Sequence, residues 1–258
     1  MLKHVLMNAA REAAAIMKEY AVKTFAISNK EGINNLVTEV DHKCEEIIFG
    51  IIKKNYPDHD ILSEESGEII QGSSYKWIID PIDGTVNFAK RIPVCCVSIG
   101  VEVNGKMEMG VVYNPFINEL FFAQRGYGAT LNDQLIHVSK TTDLAKSCIA
   151  TGFPYTYLDM PNGPLEVFSK FIRKGVPVRR LGSAAIDMCY VAAGRFDGFY
   201  EHKLNAWDSA AGFLIIEEAG GKVTDLKGEP YNIYKPGVIA SNGIIHDDLL
   251  AVVKGGEV

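Results

Sequence analysis

Apolar residues open the chain at helical spacing: Leu2, Val5, Leu6, Ala9, Ala13, Ile16 and Met17 fall on one stripe. The stripe predicts an amphipathic helix from residue 2 to about 26. Arg11 and Glu12 interrupt any continuous apolar core in this segment, so it reads as a helix and not as a secretory leader. Residues 28–35 (SNKEGINN) are polar with a glycine and predict an exposed loop. A second helix is predicted from about Val40 to Tyr56, where Pro57 stops it. The pattern then shortens to β-rich runs: DHDILSEE, KWIID, VCCVSIGVEV, MGVVYNP and ELFFAQ. Asn104-Gly105 joins two of them, a strong hairpin signal. These runs predict a largely antiparallel sheet.

The second half alternates. Strands are predicted near 147–151, 176–181, 196–201 and 238–241, and helices near 165–174, 184–193, 206–219 and at the end. An α+β half therefore joins an α/β half, with a boundary near residue 143 giving segments 1–142 and 143–258 in one compact unit. The first would carry most of the candidate site and the second would complete it.

Charge changes this picture in one respect. The chain carries 26 Lys and Arg against 32 Asp and Glu, a net charge of −6. A dedicated nucleic-acid binder would show a basic patch or stripe, so no nucleic-acid partner is expected. No run is long enough to span a bilayer, and no membrane association is expected. The five cysteines form no CxxC pattern and most lie among apolar neighbours, which predicts reduced thiols in a cytoplasmic protein. An acidic protein that acts on phosphate esters would need bound divalent cations to offset its own charge.

The candidate chemistry centres on Trp77–Phe88, WIIDPIDGTVNF. An apolar strand runs into Asp80-Pro81-Ile82-Asp83-Gly84-Thr85, and proline cannot donate to a ladder, so the sheet is expected to end there. The turn would bring the Asp80 and Asp83 carboxylates to one side and free the Ile82 carbonyl, a set of oxygen donors that suits Mg²⁺. Gly84-Thr85 reads as a helix N-terminus whose amides suit phosphate. Alone, this stretch reads equally as a turn with an N-cap. Glu64-Glu65 follow another strand, Asp208 opens a small-residue helix, and Asp41 lies at the start of the second helix. The last two read as well as helix caps.

Taken together, the segments resemble the inositol monophosphatase family, within the Mg²⁺-dependent superfamily that also holds fructose-1,6-bisphosphatase. The family pattern is matched in order by TEVD (Thr38–Asp41), SEES (Ser63–Ser66), WIIDPIDGTVNF, GSAA (Gly182–Ala185), Glu201 and WDSAAG (Trp207–Gly212). Departures are small: Ser63 for glycine, Val86 for threonine, and Ser183 where threonine often stands. The resemblance implies a layered α-β-α-β-α sandwich, the fructose-1,6-bisphosphatase-like sugar phosphatase fold. It implies two to three Mg²⁺ ions: Glu64, Asp80 and the Ile82 carbonyl on the first, Asp80, Asp83 and Asp208 on the second, and a weaker third near Glu64. Asp41 and Thr85 would orient the attacking water, and Lys30 would approach the cluster. The amides of Gly84 and Thr85 would hold phosphate. Gly182, Ser183, Ala184 and Glu201 would line the alcohol side, with Asp83 and Asp208 also reaching substrate. A homodimer is implied as well.

A small phosphorylated polyol or sugar is the expected substrate, inositol monophosphate first because Glu201 would accept from ring hydroxyls. Fructose 1,6-bisphosphate, histidinol phosphate and adenosine 3′,5′-bisphosphate follow, kept open by Arg180 and Lys203. A glycosidase would not need the freed carbonyl and phosphate turn, and a non-catalytic binding protein on the same fold would be betrayed by a lost ligand. Arg179-Arg180 read as a surface ion-pair site or as reaching a second phosphate or a neighbouring subunit. Trp207 reads as packing that fixes Asp208.

Overall fold

The computed structural model describes residues 1–29, 36–154 and 163–256. Helix α1 spans Leu2–Tyr20 and α2 spans Glu39–Asn55. The stripe foreseen on α1 is buried at Val5, Leu6, Ala9, Ala13 and Met17. The helix ends about six residues before the expected point, because Val22, the apolar residue just beyond, is 83% exposed and has nothing to pack against.

Strands β1 (Ile27–Asn29) and β2 (Leu36–Thr38) form a two-stranded ribbon. Eight strands then build the large sheet: β3 (Asp60–Ser63), β4 (Gly67–Ile69), β5 (Tyr75–Asp83), β6 (Cys96–Val103), β7 (Lys106–Asn114), β8 (Glu119–Gln124), β9 (Ala129–Leu131) and β10 (Gln134–Leu135). Their order is β10-β9-β8-β7-β6-β5-β3-β4, antiparallel except for the β3–β5 pair. Asn104 and Gly105, both at positive φ, close the β6–β7 hairpin at the expected place. Helix α3 (Thr85–Ala89) lies between β5 and β6 in the chain.

The second sheet has the order β12-β11-β13-β15-β14. It is built from β11 (Ile149–Thr151), β12 (Val178–Arg179), β13 (Gly198–Glu201), β14 (Lys222–Thr224) and β15 (Val238–Ser241). Helices α4 (Pro164–Arg173), α5 (Ala184–Ala192), α6 (Ala206–Glu218) and α7 (His246–Val253) complete the chain.

Three apolar cores hold five layers together, the central one spanning both sides of the middle layer. Helices α1 and α2 cover one face of the large sheet through Leu6, Met17, Ile48, Trp77, Ile79 and their neighbours. Helices α5 and α6 fill the space between the two sheets. Helices α4 and α7 cover the outer face of the second sheet through Val167, Phe171 and Leu249. This is the α-β-α-β-α sandwich that the motifs implied.

Helix α6 lies close to the large sheet because both surfaces are small. A Cβ added to Gly100 of β6 would stand 3.0 Å from the Ala210 Cβ, and one added to Gly110 of β7 would stand 2.9 Å from the Ala211 Cα and carbonyl oxygen. Gly110→Ala is therefore expected to destabilise the fold by about 1–3 kcal/mol, through overpacking against helix backbone that has no rotamer to yield. Urea unfolding checks this; a variant as stable as the parent would show that α6 is not held at this distance.

Candidate active site

Proline does not end strand β5. The ladder pairs Asp80 with Ser98 and resumes at Asp83 with Cys96, so three steps on β5 match two on β6. Pro81 sits in the resulting bulge, one of the few places a sheet tolerates it. The extra residue has a chemical consequence. Side chains three apart on a regular strand point to opposite faces, whereas Ser98 and Cys96, two apart, share one. Asp80 and Asp83 therefore both face the α5–α6 layer, while Ile82 between them points into the core beneath α2.

Each carboxylate is fixed by a donor from its own surroundings. Asp83 Oδ2 accepts from Ser183 Oγ at 2.6 Å and the Ala185 amide at 2.7 Å, so the first turn of α5 is capped from β5, a hundred residues away in sequence. Asp80 Oδ1 accepts from the Ile82 amide at 3.0 Å. Asp208 Oδ2 accepts from the Asn205 amide at 2.6 Å, in a capping box at the start of α6. Asp41 makes the same kind of box with Thr38 at the start of α2, and its Oδ1 also faces Thr85 Oγ1 at 3.2 Å. The capping readings of Asp41 and Asp208 thus hold, and neither prevents the residue from facing the cleft. Thr85 Oγ1 lies 3.1 Å from the Ile82 carbonyl as well, and its single proton serves one of the two acceptors. Glu64 continues the β3 ladder through its amide to the Ile79 carbonyl at 3.2 Å.

Electrostatics tie these groups into one cluster. Burial raises the Asp80 carboxyl well above the usual range, and the charges of Glu64, Asp83 and Asp208 raise it further. Burial likewise pushes Asp83 up to about 6, against the opposing hydrogen bonds from Ser183 and Ala185. Asp208 is raised by burial and then by Asp83 and Glu64. Asp41 is raised chiefly by its own burial. Among the described residues no Lys or Arg forms an ion pair with Asp80, Asp83 or Asp208. Hard oxygen donors with unmet negative charge fit Mg²⁺. As they stand, no three His, Cys, Asp or Glu side chains among the described residues close around a common point. Mutual repulsion opposes a closer approach while no cation lies between them. The charge coupling, not ready-made ligand geometry, is what groups them.

Gly84 precedes α3 at φ 89°, and an added Cβ would meet the Val94 carbonyl oxygen at 2.9 Å, so only glycine fits. Gly182, Ser183 and Ala184 lie at the N-terminus of α5, beside Asp83. Glu201 ends β13, is 8% exposed, and is raised well above its usual range by burial and by Asp208 and Asp83, with Arg180 opposing. Trp207 packs on the core between the sheets. Arg179 and Arg180 are exposed, and neither forms an ion pair with a described residue. Lys30 lies outside the described residues.

Several residues at the site escaped the sequence. Glu45 on α2 accepts from the Ser66 amide at 3.0 Å and Ser66 Oγ at 2.5 Å, which pins the Glu64–Ser66 corner. Ser98 lies across the ladder from Asp80 with its hydroxyl buried. Asp187 is 2% exposed and lies in the field of Glu201 and Asp83. Its i+4 spacing from Ser183 was the one available signal.

A family model described as the inositol monophosphatase family matches residues 2–255. The chain belongs to that family. A relative from Synechocystis, named inositol-1-monophosphatase, is 46% identical over 228 residues, covering 88% of this chain and 79% of its own. One from Escherichia coli K12, named Nus factor SuhB, is 41% identical over 251 residues, covering 96% and 94%. The crystal structure of the extragenic suppressor protein SuhB from Bartonella henselae superposes with a TM-score of 0.92 at 39% identity, covering 99% of each chain. Family membership supports a phosphatase acting on small phosphorylated substrates, in a family that is generally metal-dependent. No helix of the described residues is long and apolar enough to cross a membrane.

The raised carboxyls set a pH dependence for the metal-free protein. An unfolded aspartate titrates near ~4, while burial pushes folded Asp83 up to about 6 and raises Asp80 and Asp208 well above their usual range. Above pH ~4 the native state therefore binds more protons than the unfolded chain, and stability falls as pH rises. In EDTA, the melting temperature is expected to be lower at pH ~7.5 than at pH ~5, with Mg²⁺ removing most of the difference. A flat profile in EDTA would show that these groups do not share one buried field.

Proposed function

We propose that this protein is a Mg²⁺-dependent phosphomonoesterase that hydrolyses myo-inositol monophosphate or a similar small polyol phosphate. The observation that carries the reading is the mutually repelling set of buried Asp80 and Asp83 and half-buried Glu64 and Asp208, with no ion pair from a described Lys or Arg on the three aspartates, beside the Gly84–Thr85 turn. Bound Mg²⁺ would neutralise the phosphate, acidify a water and offset charge on the departing alcohol.

Glu64, Asp80, the Ile82 carbonyl, Asp83 and Asp208 would hold the ions, two to three in number. When Thr85 Oγ1 donates to Asp41, its lone pairs face outward to accept from the attacking water and aim it. Burial and the Thr38 bonds keep Asp41 in one rotamer for that purpose. The Gly84 and Thr85 amides would hold phosphate oxygens, and Gly182, Ser183 and Ala184 would border the ester. Glu201 would accept from hydroxyls of the alcohol. Lys30 is assigned to the same cluster by resemblance, the homodimer rests on the resemblance too, and the cytoplasmic location rests on the cysteine pattern. Fructose 1,6-bisphosphate, histidinol phosphate and adenosine 3′,5′-bisphosphate are the alternative substrates, and a panel of all four with phosphate release in Mg²⁺ decides between them.

A second reading comes from the relatives named Nus factor SuhB. This chain would then act as a Nus factor too.

Asp83→Asn tests the first reading. Asparagine keeps the shape and an acceptor for Ser183 and Ala185, but removes the charge. Phosphate release is expected to fall by at least about a hundredfold, with the fold retained and metal-free stability equal or higher. Near-normal turnover at saturating Mg²⁺ would defeat the metal assignment. Light scattering tests the dimer, and a monomer mass would remove it.

A further inference from the structure

Strand β11 runs parallel to β13 with Thr151 opposite Tyr200, which brings the next residue, Gly152, level with Glu201. The Thr151 hydroxyl donates to the Tyr200 carbonyl at 2.9 Å and fixes that register. A Cβ built on Gly152 would collide with the whole Glu201 carboxylate: 2.5 Å from Cδ, 2.6 Å from Oε1, and closer still to Oε2. The acid group therefore lies back against the bare Cα of Gly152. It is more than nine-tenths buried, and no described residue donates a hydrogen bond to it. Its oxygens are left for a ligand.

The other directions open to this carboxylate are occupied by charge. Asp187, buried on α5 with an unpartnered Oδ1, lies within its field, and Asp83 and Asp208 raise it from the cleft side. A side chain at Gly152 would displace the Glu201 carboxylate from this seat and re-aim it.

We infer that Gly152 is a specificity-determining position: its lack of a side chain seats Glu201 far enough back for a ring-sized polyol to fit in front of it. Gly152 is a positioning residue that acts through Glu201, and the inference rests on the phosphatase reading above.

The test is a double-mutant cycle. Wild type, Gly152→Ala, Glu201→Ala and the double variant are assayed in Mg²⁺ with myo-inositol 1-phosphate and with 2-glycerophosphate, which has no ring. Gly152→Ala is expected to lose about tenfold or more in kcat/KM on the inositol ester, mainly as a raised KM, and distinctly less on glycerophosphate. Placed in the Glu201→Ala background it should cost little more, because the group it collides with is gone. Equal losses on both esters, full additivity with Glu201→Ala, or an unselective Glu201→Ala would each overturn the inference while leaving the phosphatase intact. A wild type inactive on both esters, and on the wider panel, would defeat the phosphatase reading and this one with it. Should Gly152→Ala fail to fold, melting temperatures complete the cycle. A double variant as stable as Glu201→Ala supports the seat, and one that is further destabilised overturns it.

Discussion

The approach of α6 to the large sheet is the contact on which the cleft depends. Gly100 and Gly110 on one side and Ala210 and Ala211 on the other remove the side-chain layer that normally separates a helix from a sheet. The N-terminal turn of α6 is thereby carried to β5, and Asp208 enters the field of Asp83 and Glu64. The same closeness works against electrostatics, since it concentrates like charge in a poorly solvated place. What opposes the repulsion is apolar burial all round α6, where Leu214, Ile215 and Ile216 are wholly covered, and the capping of α5 by Asp83. The site is thus held together by apolar packing outside it and by one of its own carboxylates, Asp83.

Much of this was legible in the sequence, for reasons that differ by element. The stripe on α1, the Asn104-Gly105 turn and the alternation of the second half each rest on periodicity or turn chemistry that local physics enforces. Strands β1, β2, β4, β9, β10 and β14 were not foreseen, because two or three residues carry no period. The end of α1 was overrun because the sequence alone does not show that Val22 has nothing to pack on.

At the site, the acidic residues stood out by their motifs, whereas their supports did not. Pro81 argues for the end of a strand, and only the β6 register shows that β5 absorbs it in a bulge. Glu45, Ser98 and Asp187 read as ordinary polar residues until distant strands bring them to the cleft. Gly152 carries no signal at all until Glu201 is seen lying on it. Short-range patterns name the chemistry, and long-range contacts decide how it is aimed.

Asp41 joins two demands that most proteins keep apart. Its carboxylate completes the cap of α2 with one oxygen and faces Thr85 with the other. Fraying of a single helical turn would therefore also release the hydroxyl that Asp41 orients. Under the role proposed for Asp41, a lineage adapting to a warmer or colder habitat would retune turnover whenever it loosened or tightened that turn, and sequence drift at the start of α2 would be confined to changes that leave both bonds in place.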